Sequence, residues 1–295
     1  MAGAAQTPTA ARRSRRFVPG PRNLLLLPAA FWTIAFFAIP LALIAVYSFG
    51  REDIVTLKLS LPWTTENYRA LSDPIYRGAV LRSVELSFAA TLGCALVGFP
   101  IAFFISRQTP RRQRLLLAAV MLPFWTSFLV RTYAWVDVLQ NEGPIDRALR
   151  SIGLVQGHID ILYTRYAIAI GIIYTYLPLM VLPIYVSLER IDAHVLDAAA
   201  DLGSSGARLF RRVVIPLGLP GLIAGVILVG VPATGEYVIP QILGGGRSLM
   251  IGNIVVNDFL EVGDYPSGAA LAMVMMGLLM VVVVVLRRLQ TAVEP

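Results

Sequence analysis

Six stretches of this 295-residue chain are each long and apolar enough to cross a lipid bilayer, and that constrains the fold more than any other feature. A hydrocarbon core about 30 Å thick is crossed by about 20 helical residues. Backbone N–H and C=O groups find no water there. Each run must satisfy them internally, which a lone segment does as an α-helix. The runs cover residues 24–49, 79–106, 115–139, 163–188, 213–231 and 268–286. Charged residues make up 15% of the chain, well under the roughly 25% of ordinary soluble domains. The reading is an all-α integral membrane protein of six transmembrane helices, without an internal repeat or a soluble domain. Pro100, Pro123, Pro178 and Pro183 fall inside runs, where neighbouring helices can satisfy the carbonyls that a proline frees.

The positive charge is almost all arginine: Lys58 is the single lysine among 25 basic residues. The arginines gather at the ends of apolar runs, which fits membrane topology and gives no basic, aromatic-interleaved face for nucleic acid. Five lie at or before Arg22, four in 107–114, four in 190–212, and Arg287 and Arg288 follow the last run. Cytoplasmic segments carry the excess of basic residues. Both termini and the loop at about 189–214 are therefore expected in the cytoplasm. Residues 1–22 are expected to be a disordered basic tail, and 23–295 the membrane domain. The run at 24–49 is too long for a signal-peptide core, although Arg15-Arg16 precedes it. The outer loops would be 50–78, 140–162 and 232–266, the second carrying a short surface helix near 144–152.

Much chemistry is excluded. Cys94 is the single cysteine, so no disulfide forms within the chain, and His158 and His194 are too few for a histidine–cysteine metal cluster. No G-x-x-x-x-G-K-[ST], G-x-S-x-G or H-E-x-x-H pattern occurs. The expectation is a protein that is no enzyme and carries no cofactor or metal, so active transport would draw its energy from another chain or from an ion gradient.

Ionisable groups in or beside spans are costly and usually functional. Here they are Glu85, Arg131, Asp137 and Glu236. Carboxylates beside aromatic faces suit an amine cation through charge pairing and cation–π contact. The candidates for a substrate pathway are Trp135, Asp137, Tyr174, Tyr176, Glu236 and Tyr237. Plainer readings compete for several of these groups and their neighbours: Tyr133, Trp135 and Tyr163 as an interfacial belt, Arg131 as the partner of Asp137 or Glu85, and Glu236 as a loop carboxylate.

Between the fourth and fifth runs the chain turns polar. Asp192 can cap a helix N-terminus, and Gly203 can end that helix in the left-handed conformation. Ile191, Val195, Ala198 and Leu202 share one face; Arg190, His194, Asp197 and Asp201 share another. By shape alone such a helix could lie on lipid headgroups. However, Asp197-Ala198-Ala199, Gly203 six residues after Asp197, nine further residues and then Val213-x-Ile215-Pro216 resemble the EAA loop of ABC importer permeases. Asp197 stands where that family has Glu, with the charge kept and the reach shortened.

This resemblance implies the type I importer permease fold, in a bacterial inner membrane, with the loop folded as a coupling helix against a cytoplasmic ATPase. It implies ATPase-coupling roles for Asp197, Ala198, Ala199, Gly203 and Pro216. The implied partners are two ATPase subunits, a second homologous permease and an external solute-binding protein, and the implied mechanism is alternating access. A second signature, Gly235-Glu236-Tyr237-Val238-Ile239-Pro240, Leu243-Gly244-Gly245, Met250-Ile251-Gly252 and Asp264-Tyr265-Pro266, resembles the spermidine/putrescine branch of that family. Tyr265 replaces a Trp. The branch implies polyamine as solute, while relatives within it import opines, aminophosphonates and similar molecules. An ion-coupled secondary transporter or channel is a second class of reading and would rely on Glu85, Asp137 or Glu236 to carry protons; a non-transporting membrane scaffold is a third.

Overall fold

A computed structural model describes residues 27–293 apart from 54–57, 155–156, 158 and 205. The tail at 1–22 lies outside the described residues. The chain divides after Ile44 into two units. The first contains most of α1, whose α-helical segments Leu27–Thr33 and Ile39–Tyr47 are joined by a π-helical turn, Ile34–Ala38. The turn has a local cause. Pro40 cannot donate to the carbonyl four residues back and its ring crowds that carbonyl, and one wide turn relieves the clash.

The second unit starts with a hairpin, β1 (Arg51–Asp53) antiparallel to β2 (Lys58–Ser60), in register Arg51 to Ser60. There follow α2 (Glu66–Ala70), α3 (Pro74–Ser106), α4 (Pro110–Met121), α5 (Phe128–Leu139), α6 (Pro144–Ser151), α7 (Arg165–Glu189) and α8 (Ala193–Asp201). The remainder is α9 (Ala207–Thr234), α10 (Val238–Leu243), α11 (Ile251–Asn257) with a π turn Asp258–Val262, and α12 (Tyr265–Val293). Helix α9 also holds a π turn, Phe210–Val214, again just ahead of a proline, Pro216.

Among the described residues, five helical segments are long and apolar enough to cross a bilayer. The expected third span is different. Pro110–Trp125 and Phe128–Ser151 meet at 92°, and they make a sixth span only if the bent pair is counted as one. Pro123 sits in a 3₁₀ turn, Leu122–Trp125, that closes α4, and Thr126 is then extended at ψ 155°. Helix α5 restarts after Ser127. A second difference concerns 232–266, expected to be loop, which folds into α10, α11 and a π turn. The hairpin was likewise not anticipated, its strands being only three residues each.

The core is α3, α7 and α9. Helices α3 and α7 run in the same direction: the Cys94 thiol points at the Ile173 carbonyl (3.5 Å), and Arg107 reaches the Leu188 carbonyl (3.1 Å). Helix α9 runs antiparallel to α7. A Cβ at Gly225 would meet the Met180 sulfur at 2.6 Å, one at Gly221 would strike the Pro183 carbonyl, and one at Gly218 would meet Leu188 at 2.8 Å. Small residues at these spacings let the two backbones approach, as membrane helices do where lipid supplies no hydrophobic drive for association. The outward face of α3 carries Leu81, Phe88 and Leu96, all exposed, while Ser83, Ser87 and Thr91 are buried. Polar atoms inside and large apolar groups outside is the arrangement a lipid solvent selects.

Candidate functional site

Two sites emerge, at opposite ends of the bundle. The first is α8 and its attachments. Asp192 accepts the His194 N–H at 3.0 Å, capping the helix N-terminus. Gly203 adopts φ +82°, and the Ser204 N–H bonds the Ala199 carbonyl at 3.0 Å, closing a Schellman turn. A Cβ at Gly203 would meet nothing within 4 Å, so the glycine is there for its backbone conformation alone.

The loop is fastened to the bundle at both bases by the end of α3. Arg107 donates to the carbonyls of Leu188 (3.1 Å) and Ile191 (3.4 Å), at and just past the end of α7, and stacks over the Phe103 ring. Burial pulls its guanidinium below the ordinary value. On the far side, Phe210 packs edge-on against Phe99 (5.5 Å) and Phe103 (5.6 Å). Ile191 and Leu196 pack against the main core. The rest of the apolar stripe faces away: Val195 is 45% and Leu202 88% exposed, and Asp197 and Ala198 are exposed between them. Ala199 is half-buried and Pro216 is exposed at the start of the long α-helical part of α9. The helix thus turns an apolar stripe and the Asp197 and Asp201 carboxylates outward.

The second site surrounds Glu236. Its carboxylate is 7% exposed and fully engaged. Oε1 accepts the backbone N–H groups of Tyr237, Val238 and Ile239 at 3.1, 3.0 and 3.4 Å, and Oε2 accepts the Tyr176 hydroxyl at 2.6 Å. It thus caps α10 and ties it to α7. Asn253 donates to the Tyr237 carbonyl (2.9 Å) and to Gln241 Oε1 (3.1 Å), while its own Oδ1 accepts the Met250 N–H. Ser83 accepts the Ile251 N–H at 2.7 Å, and Arg82 donates to the Leu249 carbonyl at 3.1 Å, so α3 anchors the same segment.

The other pathway candidates lie apart. Trp135 and Tyr174 meet edge-on at 5.3 Å, linking α5 to α7. Asp137 is exposed on α5. Tyr237 is 44% exposed and faces a cavity with Tyr76, Asn253 and Asp258. Arg131 pairs with neither Asp137 nor Glu85 by the ion-pair distances among the described residues. It lies over the Phe124 ring at 5.5 Å, and Glu85 instead meets Arg165 at 3.6 Å. Sequence reasoning assigned no site role to Arg107, Asn253 or Asp258. Arg107 was legible only as topological charge, Asn253 stood beside the Met250-Ile251-Gly252 signature, and Asp258 interrupts the apolar stretch that ends α11.

Comparison with known proteins agrees with this architecture. The spermidine/putrescine transport system permease protein PotB of Haemophilus influenzae is 39% identical over 254 residues, covering 85% of this chain and 88% of that protein. PotB of Salmonella typhimurium is 35% identical over 264 residues, covering 88% and 92%. The crystal structure of a bacterial ABC transporter involved in import of the acidic polysaccharide alginate contains a chain that matches with TM-score 0.74 at 15% identity, over 93% of this chain and 96% of that one. At that identity the likeness speaks to the fold, the type I importer permease fold. Residues 20–295 match the family described as binding-protein-dependent transport system inner membrane component, and the chain belongs to that family.

Proposed function

We propose that this chain is one permease subunit of an ATP-binding-cassette importer that carries putrescine- and spermidine-like polyamines across the bacterial inner membrane by alternating access. Residues 1–22 form a basic cytoplasmic tail and 23–295 the permease domain. Both termini and α8 lie in the cytoplasm. ATP is hydrolysed on two separate subunits, a second similar permease completes the pathway, and an external binding protein delivers the solute. Coupling runs through Asp197, Ala198, Ala199 and Gly203, with Pro216 at the base.

The observation that carries this reading is the outward apolar stripe of α8 on a helix locked at both ends. Its exposed leucine and valine would be poorly placed in water without a partner to cover them. The solute assignment rests on the polyamine permeases that share more than a third of their residues with nearly the whole chain. ATP-driven closure of the ATPase pair would draw α8 inward and rock the bundle, and the binding protein must prefer one of the two states for any shift to follow.

The test is uptake of radiolabelled spermidine by proteoliposomes holding the whole complex. Import must stop without luminal ATP and survive a protonophore. Loss of uptake on collapsing the gradient with ATP intact would refute it. A thermal-shift assay of the cognate binding protein with putrescine, spermidine and opines checks the solute independently.

A further inference from the structure

We propose that the cavity where α10, α11 and the start of α3 meet, at the end of the bundle away from α8, receives one terminal ammonium group of the polyamine, with Asp258 as its counter-ion; this rests on the polyamine reading above. The cavity measures about 560 Å³. Asp73 and Tyr76 line it from the start of α3, Tyr237 from the lead into α10, and Asn253, Asp258 and Glu261 from α11 and its π turn. None of its lining residues is basic.

Asp258 is the informative group. It is 7% exposed, and its Oδ2 is buried with no hydrogen-bond partner among the described residues. A carboxylate oxygen left without a donor is costly in a folded protein, and the cost is lifted when a charged donor arrives. Burial pushes the carboxyl up to about 6. The Asn257 side chain opposes this, and the charge of Asp264 adds to it. Tyr76, Tyr237, Asp73 and Glu261 are the other titratable groups facing the cavity, and none of them supplies a positive charge.

The chemistry selects an alkylammonium over a metal ion. Among the described residues no three His, Cys, Asp or Glu side chains are grouped to hold a metal. Two tyrosine rings suit an organic cation by cation–π contact. The volume exceeds what a bare ion needs, and the exposed carboxylates of Asp73 and Glu261 at the mouth would steer a cation inward.

The experiment uses the complete complex, with ATPase, partner permease and binding protein, in proteoliposomes. The initial rate of radiolabelled spermidine uptake is measured at saturating binding protein for wild type, Asp258→Asn and Glu261→Gln. Asp258→Asn should lower the rate about tenfold at pH 8, the loss expected for one charge-assisted bond. The ratio of wild-type to variant rates should close to unity as pH falls through about 6, because Asp258 then loses its charge in the wild type as well. A merely structural role would not move that ratio with pH. Glu261→Gln, an exposed substitution, should lower the rate about twofold at low salt. Equal rates for wild type and assembled Asp258→Asn overturn the proposal. Should that variant not assemble, an unchanged rate for Glu261→Gln overturns it. A wild-type complex that imports no spermidine overturns the polyamine reading itself, a result distinct from active wild type with unaffected variants.

Discussion

Replacing Glu236 by Gln separates a structural carboxylate from a substrate-binding one. The wild-type carboxylate accepts one phenol O–H and three backbone N–H groups while 7% exposed. The three N–H donors share one oxygen, so the set amounts to about two charge-assisted bonds, each contributing about 1.5–3 kcal/mol against about 0.5–1.5 for a neutral bond. Glutamine keeps both contacts in neutral form by turning its carbonyl to the backbone and its amide to the Tyr176 oxygen. Loss of the negative charge at the α10 N-terminus removes about 0.5 kcal/mol more. Easier burial of a neutral group offsets part of this, leaving a net loss of about 2 kcal/mol. Glu236→Ala, which strands the phenol and all three donors, should cost about 4 kcal/mol. For a chain of this size about 2 kcal/mol lowers the melting temperature by about 4–8 °C. The assay is the apparent melting temperature of the detergent-solubilised complex by fluorescence-detected size exclusion, alongside spermidine uptake at a temperature where both proteins are folded. The expected result is a lower melting point with near-normal uptake for Gln. A variant that melts with wild type yet transports tenfold more slowly would show that the carboxylate meets the solute, and the capping argument would be wrong.

Gly203→Ala meets no atom but forces a side chain into φ +82°, a cost of about 1–2 kcal/mol; it should shift the end of α8 and reduce ATP-coupled uptake while leaving the amount of membrane-inserted protein unchanged by immunoblot. Arg107→Gln removes both bonds to the Leu188 and Ile191 carbonyls, so ATP hydrolysis should continue with uptake several-fold lower, measured as solute moved per ATP hydrolysed. Asp258 has its carboxyl raised in the folded chain, so the unfolded chain holds fewer protons above about pH 4. Its contribution to stability is therefore full below the ordinary aspartate range and lost as pH rises through about 6. Asp258→Asn should raise the melting temperature at pH 8 relative to wild type and flatten the change between pH 4 and 6, and an Asn variant that melts lower at pH 8 would contradict the stated burial.

What the sequence revealed was local or set by the solvent. The spans were legible because a bilayer fixes helix length, and the ends of α8 because Asp192 and Gly203 act on backbone groups within three or four residues of themselves. Pro123 marked a kink, but its size did not follow from the proline: the 92° turn needs the extended Thr126 after the 3₁₀ turn. Helices α10 and α11 were illegible for a clear reason. They are six and seven residues long, too short to form from propensity, and partners distant in sequence hold them. The Ser83 bond to Ile251 spans 168 positions and the Tyr176 bond to Glu236 spans 60. Arg107 looked like topological charge because only the fold brings it beside the Leu188 and Ile191 carbonyls, more than 80 positions away.

Helix α3 joins the two ends of the bundle in the second unit. Its 33 residues make a rod about 50 Å long. At one end Arg107, Phe103 and Phe99 grip both bases of the α8 loop. At the other, Arg82 and Ser83 hold the segment leading into α11, and Tyr76 faces Asp258 across the cavity. On the proposed coupling role, a pull on α8 would meet resistance at its bases, because a half-buried guanidinium and an aromatic clamp resist separation more than a lone apolar contact would. Nor can it dissipate easily along α3, whose contacts to α7 and α9 are close-packed through Gly98, Cys94 and the α9 glycines. The compliant places are elsewhere: the break between α4 and α5, and the left-handed Gly263 that ends the π turn after α11. On the proposed coupling role of α8, motion imposed there would reach the segment that carries Asp258 through the α3 rod. The same rod that anchors the α8 loop also forms a wall of the cavity at the far end.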